Sequence, residues 1–438
     1  MSGAQLLRSL ALAHGRPMGV HLQVADRCNH ACHHCYQVQG EKGELTFEQL
    51  CAVIDGIADA GVFTLNVSGG EATLRPDLFD ILRYARGKGF ALRLYTNGFL
   101  IDEAYADELA RIGLLEVHVS LYSSVAEEHD AVTRVPRSFE RTVAAVTALR
   151  ERGVRVVLKT PATTLSVEGA RSVEAIALRL GCEHHLSADL TMREDGAADP
   201  WAVRVTPQEL LRHGMLRPWA PSEEDARRRA EKLSRSPCGV GLSGLVVLPD
   251  GRLQACTDTP RLLGDLTKQP LAEALQSTPE RELFENLTWS RVHGCRDCDL
   301  LPACQRCHAT ALHEGGDYLG PTLGLREGAD ALRRLGRGAG GDCTLGGLRG
   351  RARPGGGSLR HRGARGHPTV AGRAHRRRRG AGGKVRVAES RGSEARRVGA
   401  RHDRAQTVPR AFTAVSCGTM QRAAGRSGVI NPLSHLSF

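Results

Sequence analysis

Three cysteines in the stretch CNHACHHCY, Cys28, Cys32 and Cys35, stand at C-x3-C-x2-C spacing. Thiolates that close together would hold a zinc ion, an iron-sulfur cluster or nothing. A tetrahedral zinc site would draw its fourth ligand from His30, His33 or His34. A cubane cluster with three protein thiolates instead leaves one iron open to a small molecule. After the next expected strand comes Ser68-Gly69-Gly70-Glu71. There a glycine pair would let backbone approach such a molecule, and the carboxylate would accept from an ammonium group. A second group comprises Cys238, Cys256, Cys295, Cys298, Cys304 and Cys307, whose two C-x2-C pairs also fit a zinc ribbon.

These residues need a scaffold, and the sequence supplies one. From residue 19 to about 215, β-branched runs (GVHLQVA, VFTLNVSGGE, FALRLYTNG, LLEVHVSLYS, VRVVLKTPA and HHLSADLTM) alternate with amphipathic segments. The pattern predicts an α/β fold, a full or partial (β/α)6 TIM-like barrel around a parallel sheet. Thr46 with Gln49, and Thr206-Pro207 with Glu209, read as helix starts. Gly61, Gly89, Gly113, Gly153 and Gly181 read as helix ends. Ligands of such sheets gather at the carboxyl ends of the strands. The cysteine loop, Ser68 to Glu71, Thr96-Asn97-Gly98 and Ser120-Leu121-Tyr122 all fall there.

The predicted organisation is an N-terminal extension (1–18), the barrel (19–215), a charged helical linker (216–237), a small cysteine-rich domain (238–322) and a basic low-complexity tail (323–438). Pro249-Asp250-Gly251 reads as a turn between two short strands. At 438 residues the chain has length enough for two or three cores. The N-terminus lacks a signal-peptide pattern, and no apolar run approaches the ~20 residues of a membrane span. Grouped cysteines without a secretory signal favour metal ligation over disulfides and point to the cytoplasm. The net charge of +12 sits in the tail: residues 324–438 carry +19, leaving −7 for residues 1–323. That distribution argues against nucleic-acid binding by the body of the protein.

The loop Cys28, Cys32 and Cys35, the Gly69-Gly70-Glu71 motif after the second strand and the β/α alternation together resemble the radical S-adenosylmethionine (radical SAM) enzymes. The resemblance covers about residues 17–215. It implies that the three cysteines ligate a [4Fe-4S] cluster whose fourth iron is chelated by S-adenosylmethionine. It further implies that Ser68, Gly69, Gly70 and Glu71 bind the methionyl ammonium, and that Thr96, Asn97, Ser120 and Lys159 contact ribose or carboxylate. His34 departs from the aromatic residue more common before the third cysteine; its imidazole would pack against adenine. The family reduces the sulfonium to a 5′-deoxyadenosyl radical that removes a substrate hydrogen. The second cysteine group resembles the SPASM module of peptide- and protein-modifying relatives. By that resemblance Cys238, Cys256 and Cys307 belong to one auxiliary cluster and Cys295, Cys298 and Cys304 to another, which lacks its last ligand.

The resemblance implies an oxidoreductase that modifies a peptide or protein side chain by thioether formation, crosslinking or oxidation. An electron donor such as flavodoxin or ferredoxin would serve it. No leader-binding domain is expected before the first strand, so a separate leader-binding protein or an intrinsic groove would recognise a peptide. Asp189, Glu194 and Asp195 are candidate bases near a late strand end. Tetrapyrrole (haem) tailoring and a non-catalytic iron-sulfur or zinc protein are the alternatives.

After residue 323, glycine and arginine dominate and periodicity ends. Read in GC-rich codons and shifted by one base, the stretch from Leu323 gives tryptophan, alanine, cysteine, glutamate and lysine. This places a cysteine where the second auxiliary cluster needs one. The expectation is a frameshifted translation from about residue 322. Sequencing the gene should reveal, one base out of frame, that cysteine codon followed by a helical ending. If neither alternative frame encodes them, the tail is a natural basic segment, and deleting residues 324–438 should then abolish any nucleic-acid binding.

Overall fold

The computed structural model describes residues 16–215, 223–276, 279–293 and 306–322, together with residues 295, 298, 301 and 304. The basic tail from residue 323 and most of the expected N-terminal extension lie outside the described residues.

Six strands, β1 (Gly19–Ala25), β2 (Thr64–Gly69), β3 (Ala91–Thr96), β4 (Glu116–Ser120), β5 (Val156–Pro161) and β6 (Glu183–Ser187), lie side by side in chain order, all parallel. They are the six the sequence predicts. Between them run α1 (Phe47–Asp59), α2 (Leu78–Gly87), α3 (Glu103–Ile112), α4 (Ala126–Thr133), α5 (Ser138–Glu151), α6 (Val167–Ala170) and α7 (Val173–Leu180). This is the α/β architecture of a partial parallel barrel.

The period-two pattern of the strands decides what faces what. Val20, Leu22 and Val24 of β1 pack in the main core with Leu50, Val53, Ile54 and Ile57 of α1. The alternate positions His21, Asn66, Tyr95, His118, Ser120 and Lys159 line a cavity on the other side of the sheet. Local signals hold the helices in place. Thr46 and Gln49 form a capping box on α1, and Thr206 and Glu209 form another on α8 (Pro207–Arg212). Gly113 ends α3 in the left-handed region (φ 75°).

Two features differ from the sequence reading. The segment expected as one helix after β5 breaks into α6 and α7. Helix α4 was not anticipated, since its buried residues are only His129, Val132 and Thr133 and it carries no apolar stripe to read.

The charged linker contains α9 (Glu223–Leu233). Beyond it, β7 (Gly244–Val247) pairs in parallel with β1, and β8 (Arg252–Gln254) and β9 (Leu262–Asp265) follow antiparallel. The predicted turn at Pro249-Asp250-Gly251 joins β7 to β8. All nine strands form one sheet in the order β6-β5-β4-β3-β2-β1-β7-β8-β9. Helices α10 (Leu271–Ala274), α11 (Pro279–Glu285) and α12 (His308–Gly315) complete the described chain. Among the described residues, no helix is long and apolar enough to cross a membrane.

Candidate functional site

The first cysteine loop leaves β1 and is held from three sides. The last carbonyls of a helix have no partner within it, and α4 uses two of them here. Thr133 O accepts from Ala31 N (3.3 Å) and Val132 O from His33 N (3.1 Å). On a second side, Lys42 Nζ joins Asp26 Oδ1 (3.2 Å), Glu194 Oε1 (2.5 Å) and Val38 O (2.8 Å). Glu194 also accepts from Val38 N at 2.6 Å. Of the acids suggested as bases, Glu194 is therefore a clamp on this loop. Asp195 pairs with Arg193, which holds its carboxyl down to about 2, and Asp189 lines the cavity.

The third side is the glycine pair. A Cβ on Gly69 would lie 2.4 Å from Ala25 O, and one on Gly70 would lie 2.4 Å from Arg27 O. Gly70 N and Glu71 N donate to those same carbonyls at 2.8 and 2.9 Å. The sequence reading reserved this close approach for a ligand. The structure gives it to the backbone that leads into Cys28.

Glu71 is buried, and four hydrogen bonds reach its carboxylate. Thr73 N (3.0 Å), Thr73 Oγ1 (2.7 Å) and Thr96 Oγ1 (2.7 Å) donate to Oε1, and Asn97 N (2.7 Å) donates to Oε2. Burial raises its pKa, and these donors act against that rise. Glu71, Thr96 and Asn97 thus come together as a clasp between the ends of β2 and β3. Asn97 Nδ2 reaches on to Asn29 Oδ1 (2.7 Å) and Cys28 Sγ (4.0 Å). Ser68 turns inward, its Oγ 2.5 Å from His21 Nε2. Ser120 and Lys159 are register partners on β4 and β5, and both line the cavity. Lys159 Nζ lies 3.2 Å from His185 Nδ1, and burial holds its pKa down to about 8.

The donor set around the first thiols suits sulfur ligands of a cluster. Removal from water pushes Cys28 and Cys32 up to about 12 and raises Cys35, and the cysteines raise one another. Free thiolates are disfavoured there, so their ionisation calls for a cation among them. Two hydrogen-bond donors point at Cys28 Sγ, His30 N at 3.4 Å and Asn97 Nδ2 at 4.0 Å, and the Tyr122 hydroxyl lies 3.9 Å from Cys32 Sγ, where either group could donate. His34 packs edge-on against Tyr122, with centroids 4.8 Å apart.

In the second group, Cys256 responds to Cys307 and Cys238, and Cys304 to Cys295 and Cys298. Buried Arg306 feels charge from both, and its guanidinium is tied to the carbonyls of Tyr318 and Gly320 and, at 2.6 Å, to His308 Nδ1. Cys238, Cys256, Cys304 and Cys307 open onto the same cavity of about 1300 Å³ as Cys35, Tyr36 and Lys159. One space therefore connects the two cysteine groups. Tyr122, Lys42 and Arg306 were missed from sequence. Tyr122 lay within the strand-end stretch already singled out, whereas no local pattern marks the other two.

Residues 22–179 match the model of the radical SAM superfamily, and residues 238–299 match SPASM, an iron-sulfur cluster-binding domain. The AdoMet-dependent heme synthase of Methanosarcina barkeri is 25% identical over 67% of this chain and 91% of its own length. The mycofactocin maturase MftC of Mycolicibacterium smegmatis is 28% identical over 70% of this chain and 82% of its own. In fold, the chain is similar to anSMEcpe with bound AdoMet (TM-score 0.55, 16% identity, 74% of this chain and 100% of that one). It is also similar to Streptococcus suis SuiB bound to the precursor peptide SuiA (TM-score 0.54, 13% identity, 71% and 77%). The radical SAM domain implies a [4Fe-4S] cluster with S-adenosylmethionine, and the SPASM domain implies auxiliary iron-sulfur clusters.

Two outcomes follow from the geometry. Gly70→Ala must push Arg27 away, an overpacking cost of about 1–3 kcal/mol. After anaerobic reconstitution this variant should stay folded by circular dichroism but lose the same iron per chain as Cys32→Ala; full iron retention would refute the packing role of Gly70. Burial also holds His21, His118 and His184 down to about 4, from an ordinary 6.5. The unfolded chain takes up these protons first, so stability should fall as the pH drops from about 6.5 toward 4. Urea midpoints across that window should decline less steeply in His118→Gln than in the wild type, and equal slopes would remove His118 from the effect.

Proposed function

We propose that this chain, a radical SAM enzyme with a SPASM domain, modifies a side chain of a peptide or protein in the cytoplasm. The observation that carries the reading is the single cavity joining Cys35 to Cys238, Cys256, Cys304 and Cys307. A substrate lying in it would touch both ends, and its mixed polar and apolar wall suits an extended chain. MftC and the SuiB complex with its precursor peptide add support. The domain limits given above, at residues 216–237 in particular, belong to the same proposal.

Cys28, Cys32 and Cys35 would hold the [4Fe-4S] cluster, and the second group would hold one or two auxiliary clusters. When bound, the first cluster and S-adenosylmethionine supply one-electron hydrogen-abstraction chemistry. The chain's own residues prepare the site for it. The Lys42–Glu194 clamp, partly buried on both sides, keeps the cysteine loop in one place. Tyr36, with Gln23 and Gln37 donating to its hydroxyl at 3.4 and 3.3 Å, lines the cavity beside Cys35. Ser120 and Lys159 present a hydroxyl and an amine to whatever lies in the cavity.

A second reading, tailoring of a haem-type tetrapyrrole, is favoured by the heme synthase relative. It is also favoured by the cations Lys159, Arg228, Lys232 and Arg235 on the cavity wall, which suit substrate carboxylates. The first test is anaerobic reconstitution with iron and sulfide, followed by dithionite and S-adenosylmethionine. It should yield 5′-deoxyadenosine from the wild type and at least a hundredfold less from Cys32→Ala. Turnover that rises with a peptide encoded beside the gene supports the first reading, and turnover that rises only with an iron porphyrin carrying carboxylates overturns it. An iron-loaded protein that forms no product would be a non-catalytic cluster protein.

A further inference from the structure

Tyr122 is the side chain best placed to act on the first cysteine loop without belonging to it. It is 5% exposed, just beyond β4. His129 Nδ1 accepts from its backbone N–H at 3.2 Å, which fixes it against α4. Its ring lies between His34 and His129, with centroids 4.8 and 5.2 Å away. The phenol therefore has little freedom. Its oxygen lies 3.9 Å from Cys32 Sγ, and the Ser120 hydroxyl is a second hydrogen-bonding neighbour. Against a thiolate, which has no proton, the phenol is the partner able to donate.

We propose that Tyr122 is a positioning residue whose O–H donates to the Cys32 thiolate and makes the cluster held by Cys28, Cys32 and Cys35 easier to reduce. The inference rests on the assignment of those three cysteines to the cluster. A donor to a ligand sulfur draws electron density from it, and hydrogen bonds to sulfur are among the determinants of iron-sulfur potentials. The reduced cluster carries one more negative charge, so the donor stabilises it more than the oxidised one. An ionised acceptor shortens and strengthens such a bond. Cys28 has its own donors in His30 N and Asn97 Nδ2, and Tyr122 is the side chain that reaches Cys32. Ser120, expected from sequence to touch the ribose or carboxylate of S-adenosylmethionine, is also a hydrogen-bonding neighbour of the phenol.

The test compares wild type, Tyr122→Phe, Ser120→Ala and Cys32→Ala as full-length, anaerobically reconstituted proteins. Paramagnetic resonance followed through a reductive titration isolates the signal that is lost in Cys32→Ala and altered by added S-adenosylmethionine. Tyr122→Phe keeps the ring and its contacts with His34 and His129. It should bind wild-type iron yet show a reduction equilibrium about tenfold less favourable, a midpoint roughly 59 mV lower for a one-electron couple. Ser120→Ala should shift the midpoint in the same direction by less. An unchanged midpoint in Tyr122→Phe overturns the proposal, as does loss of iron with no change in the midpoint of what remains, since that marks a packing contact only. A wild type without a Cys32-dependent, S-adenosylmethionine-sensitive signal overturns the cluster assignment itself, which is a distinguishable result.

Discussion

The site depends first on one buried carboxylate. Glu71 accepts four hydrogen bonds from three residues on two successive strand ends, and each bond aligns a different piece of backbone. A buried charge is costly unless its lone pairs are filled. Here Thr73, Thr96 and Asn97 fill them, and the cost is offset only while all three stay in place. The turn after β2 and the turn after β3 therefore take one arrangement. Asn97 carries that arrangement to Asn29 and Cys28, so the position of the first sulfur is inherited from the clasp.

Much of this was legible in the sequence because strands and helices announce themselves by period. The six strands, the capping boxes at Thr46 and Thr206 and the turn at Pro249-Asp250-Gly251 are local patterns. The two cysteine groups, too, are defined by spacing. What stayed hidden is non-local or lacks periodicity. Helix α4 shows no apolar stripe, yet its last carbonyls anchor the cysteine loop. Lys42 and Glu194 are 152 residues apart, and nothing near either one foretells their pairing. The glycine pair was recognised as a close approach, but sequence names only the need for room and not the neighbour that fills it. In the folded chain that neighbour is the backbone of residues 25–27.

The inner face of the barrel is unusual for a parallel sheet, whose two faces are commonly apolar. His21, Asn66, Tyr95, His118 and Lys159 leave it polar, and burial favours the neutral form of the histidines there. Such a wall does not collapse upon itself as a valine-lined barrel would. It keeps open the space that links the two cysteine groups, and it lends that space hydrogen-bonding groups of both kinds. The outer face, with Leu22, Val67, Leu94 and Val119 against the helices, supplies the packing that holds this open interior together.

The parallel ladder between β1 and β7 pairs Gly19 with Gly244 and Leu22 with Val247. In a growing chain β1 is made long before β7, and the ladder can close only once both are present. Until then the edge of β1 that β7 will cover is a bare row of amide and carbonyl groups, open to any other extended chain. A nascent chain that meets its own copies before β7 has emerged from the ribosome would thus be at greatest hazard of joining them edge to edge.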